Sequence, residues 1–181
     1  MAVLYIIDNF LIIQLMGSYH VSVYNVVFKM LSLYTIGFGI LVGPLWSACT
    51  AAYAKKDVVW IKKTLKSSII PILVLLILTE IFYQRVLDMW LASFYLMFSF
   101  ALFVLISIWN NIHSSFLNGI GETKMQVRTA IIGACSNVPL VYLFIEYCDL
   151  GLIGVVMAMC ISLIIFSIYG PLAAYKAINR L

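Results

Sequence analysis

Charge is what this chain most lacks. Only 10% of its 181 residues are Asp, Glu, Lys or Arg, whereas a soluble domain carries about a quarter. A water-facing surface over the whole molecule is therefore excluded. The net charge of +4 is small and dispersed, which argues against a nucleic acid as partner. Histidine occurs twice, as His20 and His113. The two lie near opposite faces of the predicted membrane layer and cannot share a metal. The four cysteines, Cys49, Cys135, Cys148 and Cys160, form no C-x-x-C or other metal-ligand spacing. Three of them fall in apolar runs, where cysteine behaves as a small buried hydrophobe. No Ser/His/Asp set, paired acids or glycine-rich phosphate loop is evident, so no enzyme, metal or cofactor is expected. The N-terminus has no basic region, and Asp8-Asn9 interrupts its apolar stretch, unlike a signal peptide.

Hydrophobic residues make up 65% of the chain. They gather in runs long enough to cross a hydrocarbon layer of ~30 Å at ~1.5 Å per residue. Six spans are expected, at residues 1–16, 21–54, 67–83, 93–112, 125–145 and 152–172. The runs show no period-2 alternation, so a β-barrel is excluded. The expectation is an all-α polytopic membrane protein, a single bundle filling the chain. The first run gives only about 24 Å of helix, as if the chain began inside a longer helix.

Basic residues set the orientation. Lys55, Lys56, Lys62, Lys63, Lys66, Lys124, Arg128, Lys176 and Arg180 flank alternate turns and the tail. The opposite loops contribute only Arg85, and Lys29 stands apart. The positive-inside rule places both termini in the cytoplasm. Within residues 55–66, Val58, Ile61 and Leu65 recur at helical spacing, and Trp60 suits the headgroup level. Two readings stay open: an amphipathic helix on the membrane surface, or a solvated basic loop.

The second span carries a polar and small-residue face. Ser22, Asn25, Lys29, Ser32, Gly39, Gly43, Ser47 and Thr50 fall within an arc of about 100° at ~100° per residue. Gly39, Gly43 and Ser47 make a small-xxx-small series suited to close helix contact. Gly43-Pro44 is a candidate hinge, because Pro44 removes a backbone hydrogen bond inside the helix. In the first span Asp8 and Asn9 interrupt the apolar interior. Asp8 and Lys29 lie at similar depth, about 14 Å below the outer turn by helical rise. An unpaired ionisable group in hydrocarbon costs on the order of 3 kcal/mol or more, so the two are expected to pair. Alternatively, Lys29 snorkels to the outer headgroups as an anchor. Glu80 is expected at the interface. Thr129, Gly133, Ser136 and Asn137 give the fifth span a modest polar face, and Gly154, Ala158 and Ser162 give the sixth a packing stripe. The fourth, rich in Phe, Leu and Met, faces lipid or core. Residues 118–124 read as a helix–helix turn, with a phosphate cradle as the rival.

Several phrases carry a family likeness. They are DNFLIIQLMG at 8–17, VYNVVFKMLSL at 23–33, GPLWSACTAAYAKKDVVWIKKTL at 43–65, LNGIGETKMQ at 117–126 and GLIGVVMA at 151–158. In order and spacing the chain resembles the C-terminal half of a bacterial polysaccharide-biosynthesis flippase, of O-antigen or Wzx type, in the MOP exporter superfamily. The resemblance implies one six-helix lobe of a two-lobe inner-membrane transporter. A missing N-terminal lobe or self-association would complete it. Its cargo would be an undecaprenyl-diphosphate-linked oligosaccharide. Lys29 would attract the diphosphate, while Asn25, Ser32 and Asn9 bond sugar hydroxyls. Asp8 would hold Lys29 or exchange a proton or sodium ion. The alternatives are a drug or cation antiporter of the same superfamily, or an inactive truncated or split-gene fragment.

Overall fold

A computed structural model describes residues 2–67 and 94–180. The described residues form helices and turns, with no strand among them. The helices are α1 (Ala2–Met16), α2 (Ser18–Ala54), α3 (Val58–Ser67), α4 (Phe94–Gly119), α5 (Lys124–Glu146) and α6 (Gly151–Ile178). The expected span at 67–83 and Glu80 lie outside the described residues, apart from Ser67 at the end of α3.

Four stretches among the described residues are long and apolar enough to cross a membrane: Thr35–Ala54, Tyr95–Gly119, Lys124–Glu146 and Gly151–Ile178. In α1 the shorter run Tyr5–Met16 is apolar. At 37 residues, α2 is about 55 Å long by helical rise, well beyond the hydrocarbon thickness. Gly17 separates α1 from α2 at φ 91°, a conformation that costs a residue with a Cβ far more than it costs glycine.

α4 packs against both α2 and α6. Its Leu96, Phe100, Phe103, Val104, Ile108 and Ile112 are buried with Tyr24 and Val27 of α2 and with Val155, Val156 and Met159 of α6. The Phe, Leu and Met content of this span therefore serves the core. α5 and α6 pack through small residues. A Cβ on Gly133 would come within 2.9 Å of the Ser162 carbonyl oxygen, and one on Gly154 within 2.8 Å of the Phe144 Cβ. Backbones approach that closely only where side chains are absent. The stripe Gly154, Ala158 and Ser162 is buried as expected.

The small series on α2 behaves differently. Nothing among the described residues lies within 4 Å of a Cβ built on Gly39 or Gly43. Close contact on α2 occurs instead at its C-terminal end, where a Cβ on Gly119 would meet Thr50 Oγ1 and the Trp46 carbonyl, each at 3.0 Å. Thr50 Oγ1 donates to the Gly119 carbonyl at 2.9 Å.

α2 meets α4 at Thr50–Gly119 and again where the Tyr24 ring centroid stands 5.6 Å from that of Phe100. Between these contacts α2 rises about 39 Å and α4 about 28 Å at ~1.5 Å per residue. α2 therefore crosses α4 obliquely or bends between them, and Gly43-Pro44 lies in that interval.

A second core closes one end of the bundle. Cys49 and Ala52 of α2, Ile61 of α3, Phe116 and Leu117 of α4, and Ala174 and Ile178 of α6 are buried together. The turn after α4 joins this end. Ile120 N donates to Phe116 O, Gly121 N to Asn118 O, and Glu122 N to Leu117 O. Gln126 Nε2 bonds the Ser114 carbonyl and Asn118 Oδ1. Those turn amides already have partners, so the segment is a helix–helix turn and not a phosphate cradle. Arg180 bonds Glu122 at 3.3 Å.

Candidate functional site

The site is built where α1, α2, α5 and α6 meet. On α1, Ile12 lies one helical turn beyond Asp8 and is buried with it, while Ile6, Phe10 and Ile13 face outward. Helical periodicity thus turns Asp8 inward. It is fully buried, at 0% exposure. Asn137 Nδ2 donates to Asp8 Oδ1 at 2.6 Å. Tyr24 Oη lies 3.3 Å from Asp8 Oδ2 and 3.2 Å from Met159 Sδ. Ser162 Oγ lies 3.4 Å from Asn137 Oδ1 and donates to the Ala158 carbonyl at 2.9 Å.

Asn137 reaches Asp8 because Thr129, Gly133, Asn137 and Val141 repeat every four residues along the buried face of α5. Gly133, one turn away, lets α6 come close enough for Ser162 to join. The expected polar face of α5 thus has a specific use. Asn137 supplies the donor that a buried carboxylate requires.

The expected Asp8–Lys29 pair is not formed. Lys29 is exposed, and Arg180–Glu122 is the only ion pair among the described residues. Tyr24, five residues before Lys29 and on the inward face of α2, takes the position assigned to the lysine. Asp8 stands against Tyr24, and Tyr5 against Asn25 and Phe28, so Lys29 lies about 7.5 Å further along α2 and on a different side of it. Neutral dipoles satisfy Asp8 in place of a counter-charge.

The other sequence-derived residues are distributed as follows. Asn25 Oδ1 accepts from Tyr5 Oη at 2.6 Å, tying α2 to α1 beside the Asp8 centre. Asn9 Nδ2 donates to the Tyr5 carbonyl at 2.8 Å, within its own helix. Ser32 Oγ donates to the Lys29 carbonyl at 2.7 Å, which marks a local helix bond and leaves its lone pairs free. Asp8, Asn9 and Asn25 therefore cluster through Tyr5 and Tyr24, while Lys29, one turn beyond Asn25, and Ser32, Gly43 and Pro44 take no part in the cluster's bonds. Around the cluster, Tyr5, Tyr24 and Phe28 stack, the Tyr5 and Phe28 centroids 4.6 Å apart.

A second buried polar group was not read from the sequence. Asn110 Nδ2 of α4 donates to the Leu163 carbonyl at 3.1 Å, and Ser167 Oγ donates to Asn110 Oδ1 at 2.7 Å. Trp109 Nε1 donates to the Ser167 carbonyl at 3.2 Å. Every group in this set has a partner, so it reads as α4–α6 cross-linking. Trp109-Asn110 in an apolar run was the available signal. No group of three or more potential metal ligands occurs among the described residues. Cys49 and Cys160 are buried, whereas Cys135, also in an apolar run, is exposed.

A model of the MatE family matches residues 1–143 of this chain. No curated protein matches it, and no solved structure does.

Proposed function

The chain belongs to the MatE family, and from that premise we propose that it is a lobe of a flippase. The lobe exports an undecaprenyl-diphosphate-linked oligosaccharide across the bacterial inner membrane, with both termini in the cytoplasm and a second lobe completing the transport path. The observation that carries the cargo assignment is Lys29. It is exposed, has no carboxylate partner among the described residues, and shares its face of α2 with Asn25 and Ser32. A cation left unneutralised in so apolar a chain favours an anionic ligand group, and a diphosphate is such a group. The phrases by which the sequence resembles polysaccharide flippases support the same cargo.

Asp8 serves a separate role in this proposal. A carboxylate bonded only by neutral donors is suited to exchange a proton or a sodium ion. Binding there would alter how Asn137 of α5 and Tyr24 of α2 are held, and so bias the arrangement of α1 and α2 against α5 and α6. The bend available at Gly43-Pro44 gives α2 a way to respond.

The test is replacement of Lys29 in the cell that makes this protein. Lys29→Ala should abolish export of the lipid-linked glycan with membrane level unchanged, and Lys29→Arg should restore part of it. Wild-type export by Lys29→Ala would reject the cargo assignment. A second reading, a drug or cation antiporter, is favoured by one observation: the Asp8 carboxylate has no cationic partner among the described residues and could itself bind a cation. That reading expects transport to depend on Asp8 and not on Lys29.

A further inference from the structure

We infer that α3 is a docking face for anionic phospholipid headgroups, fixed to the bundle by protein contacts rather than by insertion into lipid. The apolar edge of α3 is already occupied. Ile61 is 0% exposed, buried among Phe116, Leu117, Ala174 and Ile178, with Val58 and Leu65 beside it. A helix resting on a bilayer would turn that edge to the acyl chains, so the surface-helix reading does not describe how α3 is held.

What α3 presents outward is cationic. Lys62, Lys63 and Lys66 are exposed. At ~100° per residue they span about 100° of the face turned away from Ile61. Lys62 Nζ also stands 5.6 Å from the Tyr175 ring centroid, which relates this face to α6. Asp57, the adjacent carboxylate, accepts the Trp60 amide at 3.0 Å and so caps the helix; none of the three lysines has a carboxylate partner among the described residues. Val59 lies between them at 79% exposure. An exposed apolar side chain amid lysines suits the headgroup zone, where phosphates meet the lysines and the valine meets glycerol and upper acyl carbons. A free polyanion without an apolar part would leave Val59 in water.

The consequence is mechanical. The core that receives Ile61 also contains Cys49 and Ala52 of α2. Headgroup binding therefore acts on the end of α2 that follows Pro44, and on the ends of α4 and α6.

The test is titration of purified full-length chain in neutral detergent with a short-chain phosphatidylglycerol, read as the rise in thermal midpoint. Short-chain phosphatidylcholine and inorganic phosphate form parallel arms. Each lysine near an anionic surface contributes about fivefold in affinity, so three contribute on the order of a hundredfold. The variant carrying Lys62→Gln, Lys63→Gln and Lys66→Gln should need about that much more phosphatidylglycerol, with an unchanged midpoint when no lipid is added. The corresponding Lys→Arg variant should titrate as wild type does. A control with Lys124→Gln and Arg128→Gln, at the same end but on α5, should also titrate as wild type. Three results would overturn the inference: an unshifted titration in the α3 triple variant, an equal shift in the α5 control, or an equal response to inorganic phosphate.

Discussion

Asn137→Leu isolates the contact on which the buried site depends. Asn137 and Asp8 are both 0% exposed and meet at 2.6 Å. A hydrogen bond to a charged group contributes about 1.5–3 kcal/mol. Inter-helix bonds in membranes average lower, about 0.6 kcal/mol, because the unfolded state also finds partners. The upper range applies here, since the only other hydrogen bond to Asp8 among the described residues is the longer one from Tyr24, at 3.3 Å. Leucine keeps asparagine's branched shape with bulkier methyl groups, so no cavity is left, and the overpacking cost is common to both backgrounds of the cycle. Ser162 is not orphaned, because its hydroxyl keeps the Ala158 carbonyl. Asn137→Leu should therefore destabilise by about 1.5–3 kcal/mol, measured by reversible unfolding in mixed micelles. In an Asp8→Asn background the bond is neutral–neutral, and the same change should cost only about 0.5–1.5 kcal/mol. The coupling between the sites is then about 1 kcal/mol. Asp8→Asn alone should leave stability level or raise it, because it removes a charge that has no counter-ion among the described residues. Equal costs for Asn137→Leu in both backgrounds would refute the reasoning.

Further outcomes follow from the same packing. Gly133→Ala places a methyl 2.9 Å from the Ser162 carbonyl oxygen and should cost about 1–3 kcal/mol in the same unfolding assay. Gly43→Ala meets nothing within 4 Å among the described residues; it should stabilise α2 by about 0.5–1 kcal/mol yet slow transport, if Gly43-Pro44 must bend. Unchanged transport in Gly43→Ala would argue against the hinge. Ile61→Ala should release α3, seen as faster proteolysis after the α3 lysines, with a loss of about 2–5 kcal/mol. Asp8→Asn and Lys29→Ala, which share no partner, should act additively on stability to within about 0.5 kcal/mol.

Much of this architecture was legible because hydropathy and helical period leave few choices in an apolar chain. The stripe on α6 and the polar face of α5 were read correctly from spacing alone. The hairpin pairing of α1 with α2 was also legible: Asp8 stands against Tyr24 and Tyr5 against Asn25, both short of Lys29. What sequence could not supply was rotation about that helix. The choice between Tyr24 and Lys29 as the residue facing Asp8 depends on where α4 places Phe100, a contact far away in sequence. A polar partner from α5 was hidden for the same reason, because Asn137 is 129 residues from Asp8. On α2, Gly39 and Gly43 meet nothing within 4 Å among the described residues, since small residues permit close packing without requiring it. α3 shows the converse: its amphipathic pattern was plain, but the pattern does not say whether lipid or protein receives the apolar edge.

The most direct test of the account is a comparison of two cargoes in one vesicle preparation containing the complete transporter. A fluorescent undecaprenyl-diphosphate-linked oligosaccharide and a lipophilic cationic dye would be followed across the same bilayer, under imposed proton and sodium gradients. The account predicts gradient-dependent flipping of the glycan lipid, lost in Lys29→Ala and uncoupled from the gradient in Asp8→Asn, with no dye transport. Dye transport that depends on Asp8 and is indifferent to Lys29, with the glycan lipid immobile, would contradict it.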